Sequence, residues 1–178
     1  MGELKYINDP FMNRERVKDR LRKEFEKYGK LIIAYDFDYT VHNYHNEGYT
    51  YEFISELLRG WKPYANFIVF SASPESRFKY IKDYLEKKSI PFDTINSEII
   101  KRDYTRKVYY NVFLDDRAGL CETAEILFEL LEEIKNGSLV YKDYSTFDDL
   151  TDYEKTVVDT LRKDGLSDEE ILICLKEM

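Results

Sequence analysis

The apolar positions of this chain fall into two alternating kinds of run. Short, nearly continuous stretches rich in Ile, Val and Phe occur at Leu31–Tyr35, Ala65–Phe70 and Val108–Leu114. Each is too short for a helix and reads as a buried strand. Phe92–Ile95 is a shorter, weaker strand of the same kind. Between them the apolar residues recur at helical spacing. Val17, Leu21, Phe25 and Tyr28 predict a charged amphipathic helix from Asn13, a suitable N-cap, to Tyr28, with Gly29 as its stop. Residues 51–60 predict a second helix closed by Gly60. Phe78, Ile81 and Leu85 predict a third that begins near Pro74, where a missing N–H costs nothing, and a long fourth runs from Ala118 to Lys135. Residues 42–50 are polar and aromatic without period and read as a loop or short hairpin, and residues 99–107 are ambiguous and basic.

Strand–helix alternation at these intervals predicts an α/β fold: a Rossmann-like three-layer α/β/α arrangement around a mostly parallel sheet. Right-handed crossovers then bring the strand ends after residues 35, 70 and 114 to one edge. Asp36, Asp38, Ser71, Asp115 and Asp116 should converge there, at the carboxyl edge where open α/β sheets build their sites.

Beyond residue 137 the character changes. Thr151-x-x-Glu154 and Ser167-x-x-Glu170 have the form of capping boxes and predict two short helices, 152–163 and 168–177, broken at Gly165. The expected division is a core over residues 1–137 and a linker with a helical pair over 138–178. That pair superficially resembles a helix-turn-helix DNA reader. Eight acids against four Lys/Arg in residues 151–178 give it the wrong sign for phosphate contacts, so nucleic-acid binding is not expected. Docking on the core, on a second subunit or on a protein partner is the better expectation.

Composition narrows the class. Hydrophobic residues at 43% and aromatics at 16% are enough for a real core. A formal charge of −8 supplies no long-range attraction to nucleic acid or anionic lipid. Cys121 and Cys174 lie far apart with no zinc spacing, so buried free thiols in a reducing compartment are expected. The sequence holds no apolar leader and no stretch long enough for a bilayer, which gives the expectation of a soluble, cytoplasmic protein.

The strand ends carry the chemistry. Asp36-Phe37-Asp38-Tyr39-Thr40-Val41 resembles the first motif of the haloacid dehalogenase (HAD) superfamily, Asp-x-Asp-x-Thr-Val/Leu after a strand. Phe67-Ile68-Val69-Phe70-Ser71 is similar to its second motif, and Val112-Phe113-Leu114-Asp115-Asp116 to its fourth. Lys107 and Lys101 are both candidates for the lysine of the third, with Lys107 preferred because it sits nearer the strand. The likeness spans about residues 31–135 and consists of three motifs in order, each closing an apolar strand.

The resemblance implies a Mg²⁺-dependent phosphatase acting through an aspartyl-phosphate. Asp36 would be the nucleophile; Asp38 would protonate the leaving oxygen and then deprotonate water. The first of these roles asks for a carboxyl that stays protonated near neutral pH. Asp36, the main-chain carbonyl of Asp38 and Asp115 would hold Mg²⁺ with Asp116 in support, while Thr40, Ser71 and Lys107 would bind phosphate. Retention of the second acid favours a phosphatase over a dehalogenase. The competing readings are a HAD-like binding or regulatory module working through its helical tail, and a phosphotransferase.

The same residues have plainer uses. Ser71 or Ser73 can cap the Pro74 helix, Asp115 and Asp116 can cap the Ala118 helix, and Lys107 can be a solvated edge charge. His42 and His45 read as loop residues near the mouth of the site, and Arg117 as a local ion-pair partner of the acids. Tyr39 stands where the family often has Gly, so the turn must accept a side chain. Residues 41–66 and 74–106 are too short to hold an independent cap domain. The site should therefore be open, as in cap-less members that act on nucleotides or other large phosphorylated substrates, with specificity in the loop 42–50.

Overall fold

The computed structural model describes residues 13–100, 107–142, 144, 146–147 and 150–177. The first helix, α1 (Arg14–Tyr28), is capped as the sequence predicts: the Asn13 side chain accepts from the Arg16 N–H, and Gly29 closes it at φ 68°. There follow β1 (Leu31–Asp36), α2 (Glu52–Trp61), β2 (Ala65–Phe70), a 3₁₀ turn over Glu75–Arg77, α3 (Phe78–Lys87), β3 (Thr94–Ile95), β4 (Val112–Leu114), α4 (Leu120–Lys135), α5 (Asp152–Lys163) and α6 (Asp168–Glu177). The four strands form one all-parallel sheet in the order β3-β2-β1-β4, flanked by helices, a Rossmann-like α/β arrangement.

Alternation along the strands sorts the core into two sides. Leu31, Ile33 and Tyr35 of β1 and Phe67 and Val69 of β2 face the helices, among them buried Leu21, Phe25, Leu57, Trp61, Leu85 and Leu127. On the other side Ile32, Ala34 and Ile68 are covered by Ile99, Val108, Tyr109 and Tyr110, which belong to the crossover from β3 back to β4. The strand order explains this. Two steps outward, β1 to β2 to β3, place α2 and α3 on one face, and the return step must then cross the opposite face to stay right-handed.

Charge ties α1 to α4 across the helix layer. Lys18, only 11% exposed along its side chain, lies 2.8 Å from Glu129 and 2.7 Å from Glu133, and Arg14 and Arg22 reach the same two acids. Trp61 is fully buried and donates its indole N–H to the Leu127 carbonyl at 3.0 Å, which joins α2 to α4.

Three expectations are corrected. Gly60 does not end α2, which continues to Trp61. A Cβ at Gly60 would lie 2.6 Å from Leu131 Cδ2, so the glycine is there to let α4 come close. The strand expected over Val108–Leu114 is paired only from Val112, because Val108–Tyr110 lie over the sheet as part of its cover. Asn111 bridges the two regimes: its N–H donates to the Ile32 carbonyl at 2.9 Å, and its Oδ1 accepts the Ile32 N–H at 2.6 Å. The cysteines are free but not buried; Cys121 is exposed in the first turn of α4 and Cys174 is partly exposed.

The C-terminal helices fall where the capping boxes predict, and both boxes form. They share a small apolar cluster of their own around Leu150, Val158, Ile171 and Leu175. The chain leading to them is fastened to α1 by Lys142 N–H to the Glu26 carbonyl at 2.9 Å and by Tyr141 packed on Gly29. No helix among the described residues is long and apolar enough to cross a membrane.

Candidate active site

The turn after β1 is built by the alternation of its residues. Phe37 and Val41 are buried and anchor it, while the Phe37 carbonyl accepts from the Val41 and His42 N–H groups. Tyr39 takes φ 65°, the left-handed conformation for which glycine is the easy residue. That conformation turns the chain so that Tyr39 N–H donates to the His42 carbonyl at 2.8 Å. Asp36, Asp38 and Tyr39 are thereby left lining a hollow of about 300 Å³, with Tyr44, Ala72, Asp115, Asp116 and Arg117. Four carboxylates from two strand ends thus meet in one place, as the topology requires.

The electrostatics follow. Asp36 is pushed up to about 7, first by burial and then by the nearby negative charges of Asp115, Asp116 and Asp38, against a lowering hydrogen bond from the Phe37 N–H. Repulsion of this kind marks a site with an excess of negative charge for which a cation is the natural complement. Among the described residues no group of three His, Cys, Asp or Glu side chains has metal-binding geometry. The donor set is all hard oxygen, two carboxylates with a third nearby, and that chemistry fits Mg²⁺, which takes one or two carboxylates and fills its shell with water and substrate oxygens.

Asp38 is held on both oxygens. Arg77 Nη1 donates to Oδ2 at 2.9 Å and Nη2 to Oδ1 at 3.2 Å, and His42 Nδ1 lies 2.9 Å from Oδ1. With Asp38 ionised, His42 carries its proton on Nδ1, and a neutral imidazole then accepts at Nε2 from Tyr80 Oη, 2.9 Å away. The imidazole is stacked on Phe37 at 4.6 Å, and the guanidinium lies 5.0 Å from the Tyr44 ring and 5.6 Å from that of Tyr80. Arg77 also donates to Ser73 Oγ at 2.8 Å, so one side chain links the first acid turn to the loop after β2.

Ser71 closes β2 and is buried. Its backbone is gripped by Asn96, whose Oδ1 accepts the Ser71 N–H at 2.9 Å and whose amide donates to the Ser71 carbonyl at 2.7 Å. The Ser71 hydroxyl accepts the Ser73 N–H at 3.2 Å and keeps its own proton for another acceptor. Thr40 is fully buried, and its hydroxyl has no hydrogen-bond partner among the described residues. An orphaned buried hydroxyl costs about 1–3 kcal/mol unless something satisfies it.

Asp115 accepts the Arg117 N–H at 2.7 Å within its own turn. It does not cap α4, whose N-cap is Gly119 with no side-chain bond, so neither acid is used up by the helix. Arg117 is 86% exposed and stands 4.0 Å from Asp116, a loose local pairing of the kind expected. Lys107 is exposed and is not among the residues lining the hollow; Lys101 lies outside the described residues.

His42 is corrected from a mouth residue to a buried one bonded to Asp38; its neighbour His45 is exposed and packs at 5.5 Å on Tyr39. Arg77, Tyr80 and Asn96 drew no functional reading from the sequence. A larger hollow of about 480 Å³ lies at the amino ends of β1 and β2, beside Lys30, Ala65 and Asp93, away from these groups.

No family model matches the chain, and no curated protein matches it. Among solved structures, a conserved protein from Bacteroides thetaiotaomicron aligns at 23% identity with a TM-score of 0.47, over 64% of this chain and 99% of its own.

Proposed function

We propose that this protein is a Mg²⁺-dependent phosphatase of the HAD type, cleaving phosphomonoesters through an aspartyl-phosphate on Asp36. The observation that carries this reading is the meeting of Asp36, Asp38, Asp115 and Asp116 in one open hollow at the carboxyl ends of parallel strands. Asp36, the Asp38 carbonyl and Asp115 would hold Mg²⁺, with Asp116 beside them. When bound, the ion would neutralise the charge that two anions bring together and would favour the ionised Asp36 carboxylate.

An Asp36 oxygen attacks phosphorus and the bond to the substrate oxygen breaks, leaving the phosphoryl group on Asp36. The departing oxygen takes its proton from Asp38, which in turn removes a proton from the water that hydrolyses the intermediate. Arg77 and His42 hold Asp38 with both oxygens occupied. That arrangement suits the second half of the cycle; in the first half one oxygen has to be released by the guanidinium to carry the proton. Ser71 can donate its hydroxyl proton to a phosphate oxygen, and buried Thr40, in the turn after β1, holds a hydroxyl without a partner among the described residues.

The test is phosphate release from a panel of phosphomonoesters, with and without Mg²⁺. Turnover should require the metal. Asp36→Asn should lower it by about 10³-fold or more. Asp38→Asn should let phosphoenzyme accumulate on substrates with good leaving groups, and Arg77→Ala should reduce kcat more than it raises KM. Wild-type rates in Asp36→Asn, or no metal-dependent turnover on any substrate, would overturn the reading.

A further inference from the structure

A second hollow, of about 590 Å³, opens between the start of α2 and the first turns of α4, and it meets the acid site at Asp116, which lines both. Ile54 and Ala124 are buried at its floor, and Phe53 and Leu120 form its walls. Its size lies within the range of small-molecule sites. Phe53 is 55% exposed, and its ring stands 6.2 Å from that of Phe128, which is 46% exposed. Two large aromatic side chains turned to solvent together, beside a polar site, form a surface with apolar area to cover.

The charge of the lining limits what can cover it. Asp116 and Glu125 border the hollow, no basic side chain among the described residues does, and Glu125 accepts from the Cys121 thiol at 3.5 Å. A second phosphate would be repelled there, and a long anionic polymer more so. A flat, uncharged ring system is accepted, because it can lie against Phe53 and remove apolar surface from water at no cost in charge.

Resting on the phosphatase reading, we propose that this hollow is the leaving-group subsite: it receives a planar aromatic group carried by the substrate's alcohol, so that the preferred substrate is a monophosphate of a nucleoside or of another aryl-bearing neutral alcohol. Phe53 is the stacking residue, and Asp116 marks the boundary between the subsite and the phosphate. The loop 42–50, where the sequence suggests specificity, then shares that task with α2 and α4.

Adenosine 5′-monophosphate and ribose 5-phosphate separate the ideas, since both release a primary alkoxide and differ in the ring. With Mg²⁺, kcat/KM should favour the nucleotide by about tenfold or more, mostly through KM, as expected for one stacked base. Phe53→Ala should narrow that ratio several-fold, and because Phe53 is exposed the variant should fold. Benzyl phosphate, compared with the nucleotide, tells a base-specific site from a general aryl site. Turnover without preference for the ring, or a preference that survives Phe53→Ala, would overturn the proposal while leaving the phosphatase reading intact. Absence of turnover on every substrate would overturn that reading instead. The subsite is then judged by titrating adenosine alone and following the methyl resonances of Ile54, Leu120 and Ala124, which should shift in wild type and less in Phe53→Ala; unmoved resonances would overturn it.

Discussion

Asp36 makes the molecule's stability depend on pH with a sign opposite to that of most carboxylates. Its folded value, about 7, lies above the ordinary carboxylate value of 3.8 because burial and the three neighbouring acids disfavour its charge. Between those values the folded state holds the proton more firmly than the unfolded state, so stability falls as pH rises through this window. Allowing for partial exposure, the loss is about 2 kcal/mol. Asp36→Asn should therefore raise Tm by several degrees at pH 7.5 and hardly at all at pH 4. Added Mg²⁺ should stabilise wild type at pH 7.5 and not the variant. Scanning calorimetry at the two pH values checks both. The acids that cause this were legible in the sequence, since each closes an apolar strand and parallel topology dictates where strand ends meet. Arg77 was not. It reaches Asp38 across 39 positions of sequence only because a 3₁₀ turn swings it back over the site, and no local pattern encodes that approach. His42 was missed for a related reason: it belongs to the site only once Tyr39 takes its left-handed turn.

At the scale of elements, periodicity located the helices well and misread what Gly60 does. A glycine near the end of a helical pattern is ordinarily its stop, but here the missing side chain is a packing feature seen only when α4 is brought alongside. Gly60→Ala would force Cβ against buried Leu131, and overpacking of that kind costs about 1–3 kcal/mol. The gain in helix propensity of about 1 kcal/mol offsets part of it. A net loss of up to about 2 kcal/mol in denaturant unfolding is expected, and Leu131→Val should recover much of it in the double variant. The overlong reading of β4 has a comparable cause. Val108–Tyr110 are apolar because they cover the sheet, and cover and strand look alike in a short apolar run.

At the scale of the whole molecule a main core lines the two faces of the sheet, and a smaller, separate apolar cluster joins α5 and α6. The smaller one depends on Glu154, which is buried beside Tyr144 and accepts from the Thr151 N–H at 2.7 Å, its hydroxyl at 2.6 Å and Tyr144 Oη at 2.8 Å. Burial alone would raise this carboxyl, but those bonds and Lys142 hold it down at about 2. Its contribution is therefore present above the ordinary value of 4.5 and is lost as pH falls toward 2. Glu154→Ala should speed amide exchange in α5 and α6 by about 10–100-fold, the equivalent of about 1–3 kcal/mol, with α4 and β1 unaffected. Exchange measured by mass spectrometry distinguishes this from a global loss. The starts of α5 and α6 were visible in the sequence as capping boxes, whereas the strap from Lys142 to Glu26 was not, being a backbone contact that no side chain announces.

The return of the chain from β3 across the far face to β4 also fixes when the acid hollow can exist. β1 and β2 pair over a short span of chain, whereas Asn111 must find Ile32 across 79 positions before Asp115 and Asp116 arrive beside Asp36. Long-range closures of this kind are entropically costly and come late. A partly folded chain with β1, β2 and β3 in place would carry the Asp36 turn and the Ser71 loop without the second pair of acids. The charge-dense pocket thus exists only with β4 docked beside β1, which makes its integrity a readout of that one strand pairing.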